Sequence, residues 1–216
     1  MTTASSQMLW DISPAIHTAS PVFPGDTPYS QQWCATIGPG CPVNVSAIHL
    51  SPHVGAHADA PLHYDPQGAS IGTVELEPFL GRCRVIHAIH CGPLIHWQHI
   101  EHAITPDLPP RVLVRTYQRA PSRWDGDLAA YAPETVQRLA DRGVQLIGID
   151  TASIDPASSK SLDSHMVIRA RGLRVLENLV LDSVPEGDYE LIALPLKLVE
   201  ADASPVRAVL RALNTL

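Results

Sequence analysis

Short apolar runs separated by turn residues dominate the pattern of the chain. Residues 43–50 are rich in apolar and β-branched side chains and predict a strand. Residues 82–89, 112–115, 179–181 and 189–194 predict further strands. The run Val-Gln-Leu-Ile-Gly-Ile-Asp over 144–150 is nearly all apolar and predicts a central strand. Helical patterns are fewer. Residues 133–142 open on Pro133 and are followed by Gly143, which predicts a helix. Ser204-Pro205 offers an N-cap and a first-position proline, with Val206, Val209, Leu210 and Leu213 as an apolar stripe, and predicts a C-terminal helix through Leu213. Residues 173–178 suit a short helix. The first forty residues, rich in Pro, Ser, Thr and Gly, read as an extended N-terminal arm with turns. No internal repeat or linker interrupts the chain, so residues 1–216 are expected to form a single α/β or mixed α+β domain.

Composition narrows the function. The 216 residues are 45% hydrophobic and 17% charged, enough for a sizeable core. A net charge of -7 argues against nucleic acid as a partner. No segment reaches transmembrane length, and residues 1–8 lack the basic and apolar regions of a signal peptide, so no membrane partner and a cytoplasmic location are expected. Cys34, Cys41, Cys83 and Cys91 form no CxxC pair and read as reduced thiols.

The chemistry concentrates in His53-Val-Gly-Ala-His57-Ala-Asp59-Ala-Pro61-Leu-His63. Three of the eleven histidines and an aspartate fall in this window, spaced largely by small residues. Imidazole and carboxylate suit zinc, manganese and similar ions, and Pro52, Gly55 and Pro61 predict a loop. The spacing of His53 and His57 matches the zinc-protease helix motif, but Val54 stands beside His53, so the glutamate base of that motif is missing. Four local residues seldom close a catalytic site. His165 is the one histidine late in the chain, and Glu177 lies in an apolar run where a carboxylate is costly to bury unpaired. Glu177 reads equally well as a solvated residue on a short helix. The stretch around His87, His90, His96, His99 and His102 matches no metal spacing and reads as surface loop and short helix. No GxSxG elbow is present, and Cys41 reads as a packed thiol.

The His/Asp window resembles the HxGTHxDxPxH signature of the cyclase-like metal-dependent hydrolases. Trp10-Asp-Ile-Ser-Pro14, Val22-Phe-Pro-Gly-Asp-Thr-Pro28, Gly81-Arg-Cys-Arg-Val-Ile86, Leu146-Ile-Gly-Ile-Asp-Thr151, Tyr189-Glu-Leu-Ile-Ala-Leu-Pro-Leu-Lys197 and Ala203-Ser-Pro-Val-Arg-Ala-Val-Leu210 extend the resemblance over the chain and toward the family's bacterial kynurenine formamidase (arylformamidase) branch. The resemblance implies a swivelling β/β/α domain, usually a homodimer, with two zinc ions; Mn2+ or another divalent ion could replace zinc. It implies His53, His57 and Asp59 on one ion and Asp59, His165 and Glu177 on the other, with Glu177, like Asp59, shared between the two. His63 is implied as proton donor and acceptor, suited to a group that exchanges protons near neutral pH. Phe23 takes the place of an aromatic residue, more often Trp, that lines the substrate site. Ala56 replaces the signature Thr and removes a hydroxyl but no ligand. Two ions roughly 3.5–4 Å apart lower the pKa of a shared water. The implied reaction is hydrolysis of N-formyl-L-kynurenine to L-kynurenine and formate, a step of tryptophan breakdown. A sister hydrolase acting on another amide or a cyclic amide would keep the same ligands. A metal-binding protein without turnover is a third reading, opposed by the presence of His63 beyond the ligand set.

Overall fold

A computed structural model describes residues 8–213. In chain order the elements are β1 (Leu9–Asp11), β2 (Ser30–Ala35), β3 (Val45–His49), β4 (His57–Asp59), β5 (Leu80–His87), β6 (Leu94–Ile95), β7 (Arg111–Arg115), β8 (Ala130–Tyr131), α1 (Pro133–Asp141), β9 (Leu146–Ile149), α2 (Asp163–Arg171), β10 (Arg174–Glu177), β11 (Gly187–Ile192), β12 (Ala203–Pro205) and β13 (Val209–Ala212). Nine strands form one mixed sheet in the order β1-β13-β11-β5-β7-β9-β10-β4-β12. Its centre, β5 to β10, is parallel. Antiparallel β11 and β4 flank that centre. The fold is thus a mixed α/β architecture with few helices.

Side chains alternate across the central strands, as the pleat requires. Val85, Leu113, Leu146 and Leu176 point into one core with Phe79, Leu191 and Leu210. Ile86, Val112, Val114, Ile147 and Val175 point into the other, where α1 and α2 contribute Val136, Leu139 and Ile168. Residues buried on both faces of the sheet explain why these strands read as nearly continuous apolar runs.

Several elements differ from the sequence pattern. Residues 204–213 form no helix; they build β12 and β13. Ser204 does not cap: its hydroxyl donates to the carbonyl of Pro205 and accepts from the amide of Leu196. Pairing of β13 with both β1 and β11 buries Leu210 fully and overrides the local helix signal. Residues 173–178 hold a strand, β10, between β9 and β4. Residues 179–181 lie outside any strand, although the amides of Leu179 and Val180 are satisfied by Ile149 and Ile12. The helix α2 has little apolar periodicity of its own, and its first turn is held by a distant carboxylate, Asp155. The N-terminal arm is tied to the sheet by β1, while β2 and β3 form a separate two-stranded hairpin. Within the 87–103 stretch, Ile95, Trp97 and Ile100 are core residues, so it is only partly surface.

Candidate metal centre

The site forms where β4 runs between β10 and β12. Antiparallel register places His57 opposite Glu177 on one side and opposite Pro205 on the other. His57 and Asp59 are two residues apart on a strand and share a face, while Ala58 between them enters the core. The chain reaches β4 through a tight turn at Gly55, whose φ is +71°. A Cβ there would also lie 2.9 Å from Ile16 Cγ1, so the positive φ favours glycine and any larger residue would also have to displace the Ile16 side chain. The amide of Ala60 donates to the carbonyl of Asp202, which brings that aspartate beside the histidines.

Five residues converge. Nε2 of His57 is 3.4 Å from Oδ1 of Asp59 and 3.3 Å from Oε2 of Glu177. Nδ1 of His53 is 3.2 Å from Oδ1 of Asp59. Nε2 of His165 is 3.3 Å from Oδ2 of Asp59 and 3.9 Å from Oε1 of Glu177. His57, Asp59, His165 and Glu177 are all buried. The solvated-helix alternative for Glu177 is therefore excluded: it ends a buried strand, and its Oε1 accepts from the amide of Ile154 at 2.7 Å.

Outer contacts orient the rings. Nδ1 of His57 is 2.9 Å from the carbonyl of Gly55. A carbonyl only accepts, so this nitrogen carries the proton and Nε2 presents a lone pair to the cluster. Nδ1 of His165 meets Oδ2 of Asp155 at 2.7 Å, which likewise turns Nε2 inward. His53 lies between Asp59 and Asp202, with Nε2 2.9 Å from Asp202 Oδ2. Oδ2 of Asp202 is also 3.3 Å from Nδ1 of His63.

Electrostatics follow from this crowding. Burial opposes the charged form of His53, but its hydrogen bond to Asp202 and the closeness of the Asp59 carboxylate outweigh it and raise its pKa to about 10. His165 is raised to about 10 in the same way, with Asp155 and Asp59 overcoming burial. Burial would raise Asp59, but His165 and His53 hold it well below the usual carboxylate range. Asp202 is held low chiefly by hydrogen bonding to His53, then to His63.

Nε2 of His57 and Oδ1 of Asp59 are buried without a hydrogen-bond partner. Such atoms are costly unless a ligand satisfies them. A divalent ion fits that need: the donors are imidazole and carboxylate, and binding would displace the protons held by the raised histidines. Donor atoms of His53, His57 and Asp59 lie within 4.8 Å of one another, as do those of Asp59, His63 and His165, and those of His53, His63 and Asp202. His63 therefore lies close enough to join a ligand set. Its side chain is nonetheless 32% exposed, whereas Asp59 is fully buried.

The cluster opens into a cavity of about 420 Å³, lined among others by Phe23, His53, His63, Trp124 and Asp202. Phe23 packs edge-on against Trp124, ring centroids 5.0 Å apart. Sequence reasoning missed Asp155, Asp202 and Trp124. None lies in a motif, and each reaches the site through tertiary pairing. Cys41 is partly exposed, with its Sγ donating to the carbonyl of Val43, rather than packed in the core.

Comparison with known proteins agrees with this geometry. The Cyclase family ("Putative cyclase") matches residues 10–156. A protein of Delftia acidovorans (strain DSM 14801 / SPH-1) named kynurenine formamidase is 81% identical over 208 residues, covering 96% of this chain and 99% of that one. A kynurenine formamidase of Bordetella pertussis (strain Tohama I / ATCC BAA-589 / NCTC 13251) is 69% identical over 206 residues, covering 95% and 98%. A solved structure described as a potential metal-dependent hydrolase with cyclase activity superposes with a TM-score of 0.83 at 28% identity, covering 97% of this chain and 100% of that one. The chain belongs to the Cyclase family and, within it, stands with the kynurenine formamidases.

Proposed function

We propose that the chain hydrolyses N-formyl-L-kynurenine to L-kynurenine and formate. The observation that carries this reading is a buried His/carboxylate cluster with orphaned donor atoms, opening into a cavity whose wall includes the paired rings of Phe23 and Trp124. Two divalent ions are proposed, zinc in the first place: His53, His57 and Asp59 would hold one, and Asp59, His165 and Glu177 the other, with Glu177 shared between them as Asp59 is. When bound, such a pair supplies Lewis acidity and a water of lowered pKa.

The chain's own groups supply the rest. Phe23 and Trp124 receive the aryl ring. Asp202 turns Nδ1 of His63 toward itself, which leaves Nε2 as the atom that exchanges a proton with the reacting groups. His63 takes a proton during attack on the formyl carbon and returns it to the arylamine nitrogen as the C–N bond breaks. The burial of Asp59, His57 and Glu177 keeps bulk water from the ligand groups.

The functional unit proposed is residues 1–216 as one hydrolase domain with 1–40 as its N-terminal arm, acting as a homodimer in the cytoplasm. The β2–β3 hairpin supports the dimer, because it exposes Trp33 and Ile48 at 59% and 60%. The four free cysteines suit a reducing compartment. Among the described residues, no helix is long and apolar enough to cross a membrane.

Hydrolysis of N-formyl-L-kynurenine, followed by kynurenine absorbance beside simple formanilides and other amides, tests the activity. Turnover of N-formylkynurenine is expected; activity confined to other amides would reject this substrate. Light scattering on the eluting protein tests the dimer, and a monomer mass would reject it.

A further inference from the structure

The proposed substrate has two ends, and the site described so far engages only one. The formamide and aryl ring fall to the metal cluster and to Phe23 and Trp124. The other end carries an α-carboxylate and an α-ammonium. We propose that Arg123 binds the α-carboxylate and Asp26 the α-ammonium, making them the residues that select an amino-acid substrate; this rests on the formamidase reading.

Two segments face each other across the cavity and meet at the contact of Phe23 with Trp124. On the first, the amide of Asp26 donates to the carbonyl of Phe23 and closes a turn. Oδ2 of Asp26 accepts from the Ser51 hydroxyl at 3.1 Å. Oδ1 makes no hydrogen bond or ion pair among the described residues and remains free to accept from an ammonium.

The second segment, 116–125, is held firmly although it has no regular structure. The amides of Thr116 and Tyr117 and the Thr116 hydroxyl donate to Asp150. The amide of Ala120 donates to Asp182. The Tyr117 hydroxyl donates to Asp125, and the Arg115 guanidinium donates to the carbonyls of Tyr117 and Gln118. This bracing fixes the path that carries Arg123 and Trp124.

Arg123 itself has no ion pair or hydrogen bond among the described residues, and it lines the cavity. Among the described residues it is the one Arg or Lys that does so, whereas Asp26, Asp125, Asp150, Glu177 and Asp202 all line it. Beyond the metal cluster the charged lining is otherwise the carboxylates Asp26, Asp125 and Asp150, so a ligand carboxylate held there needs a cation. A guanidinium meets a carboxylate with two parallel N–H donors. The bracing lowers the entropy lost when that pair forms.

The test compares kcat/KM for N-formyl-L-kynurenine with that for 2-formamidoacetophenone, which keeps the formamide, ring and ketone but lacks the amino-acid end. The readout is the ratio of the two values, in which general damage to the site cancels. Arg123→Ala should lower the ratio by about 10- to 100-fold, mostly through KM, as expected for losing a hydrogen-bonded charge pair. Asp26→Asn should lower it by about 3- to 10-fold, the smaller loss because the side-chain oxygen that remains still accepts from the ammonium and only the charge is removed. As a readout without turnover, L-kynurenine should inhibit the wild type more tightly than its decarboxylated analogue, and Arg123→Ala should abolish that difference. A wild-type ratio in Arg123→Ala overturns the carboxylate assignment, and one in Asp26→Asn overturns the ammonium assignment. If the wild type hydrolyses neither compound, the formamidase reading falls and this inference falls with it.

Discussion

Oδ2 of Asp155 lies 2.7 Å from Nδ1 of His165 and also accepts the backbone amide of the same residue at 3.0 Å. One carboxylate oxygen thus fixes both the ring and the helix turn that carries it. Oδ1 takes the neighbouring amide of Ser164 and completes the anchoring of α2. The buried aspartate titrates low because these donors outweigh the effect of burial.

Asp155→Ala should therefore weaken metal binding while all proposed ligands remain. Loss of such an outer contact is expected to cost about 10- to 100-fold in metal affinity. Competition with a chelator of known affinity measures it. Wild-type retention would show that packing alone positions His165.

His63→Ala should separate proton transfer from metal binding. The metal content should stay at the wild-type value, because His63 lies outside the proposed ligand set. Turnover should fall by about 10²- to 10⁴-fold, the range for general acid–base catalysis. Metal analysis beside kcat on N-formyl-L-kynurenine checks both. Loss of metal would instead assign His63 as a ligand, an arrangement its closeness to Asp59 and His165 permits.

Phe23→Ala should act on binding of the aryl ring. Its edge contact with Trp124 and its place in the cavity wall predict a KM raised by about 3- to 10-fold with kcat little changed. Steady-state kinetics with N-formyl-L-kynurenine decide this. A fall in kcat alone would remove Phe23 from substrate binding.

Leu210→Ala tests the C-terminal strand. Leu210 is fully buried and faces partners on β1 and β11. Truncation should destabilise the protein by about 2–5 kcal/mol in denaturant unfolding, the range for a buried Leu→Ala change. A change near zero would be inconsistent with this packing.

Leu210 also marks where local pattern and structure part. The central strands β7 and β9 were legible because both sides of each are buried, which leaves apolar runs that turn residues interrupt. The C-terminal segment carries helix signals at Ser204 and Pro205, yet β12 pairs with β4 and β13 with β1 and β11. Those partners lie up to about two hundred positions away in sequence, where no local window reaches. Glu177 shows the same effect: an apolar run around a carboxylate fits a short helix or a buried strand, and only pairing with β4 decides. His53, His57, Asp59 and His63 stood out because they crowd one short segment. Asp155, Asp202 and Trp124 did not, since an isolated aspartate or tryptophan resembles any surface residue until the sheet brings it to the site.

Metal removal and restoration tests the central proposal most directly. Protein stripped with a chelator, then dialysed free of it, should lose hydrolysis of N-formyl-L-kynurenine and regain it on addition of Zn2+. Restoration should saturate near two ions per chain. Full turnover in demonstrably metal-free protein, or no turnover of this substrate with metal bound, would contradict it.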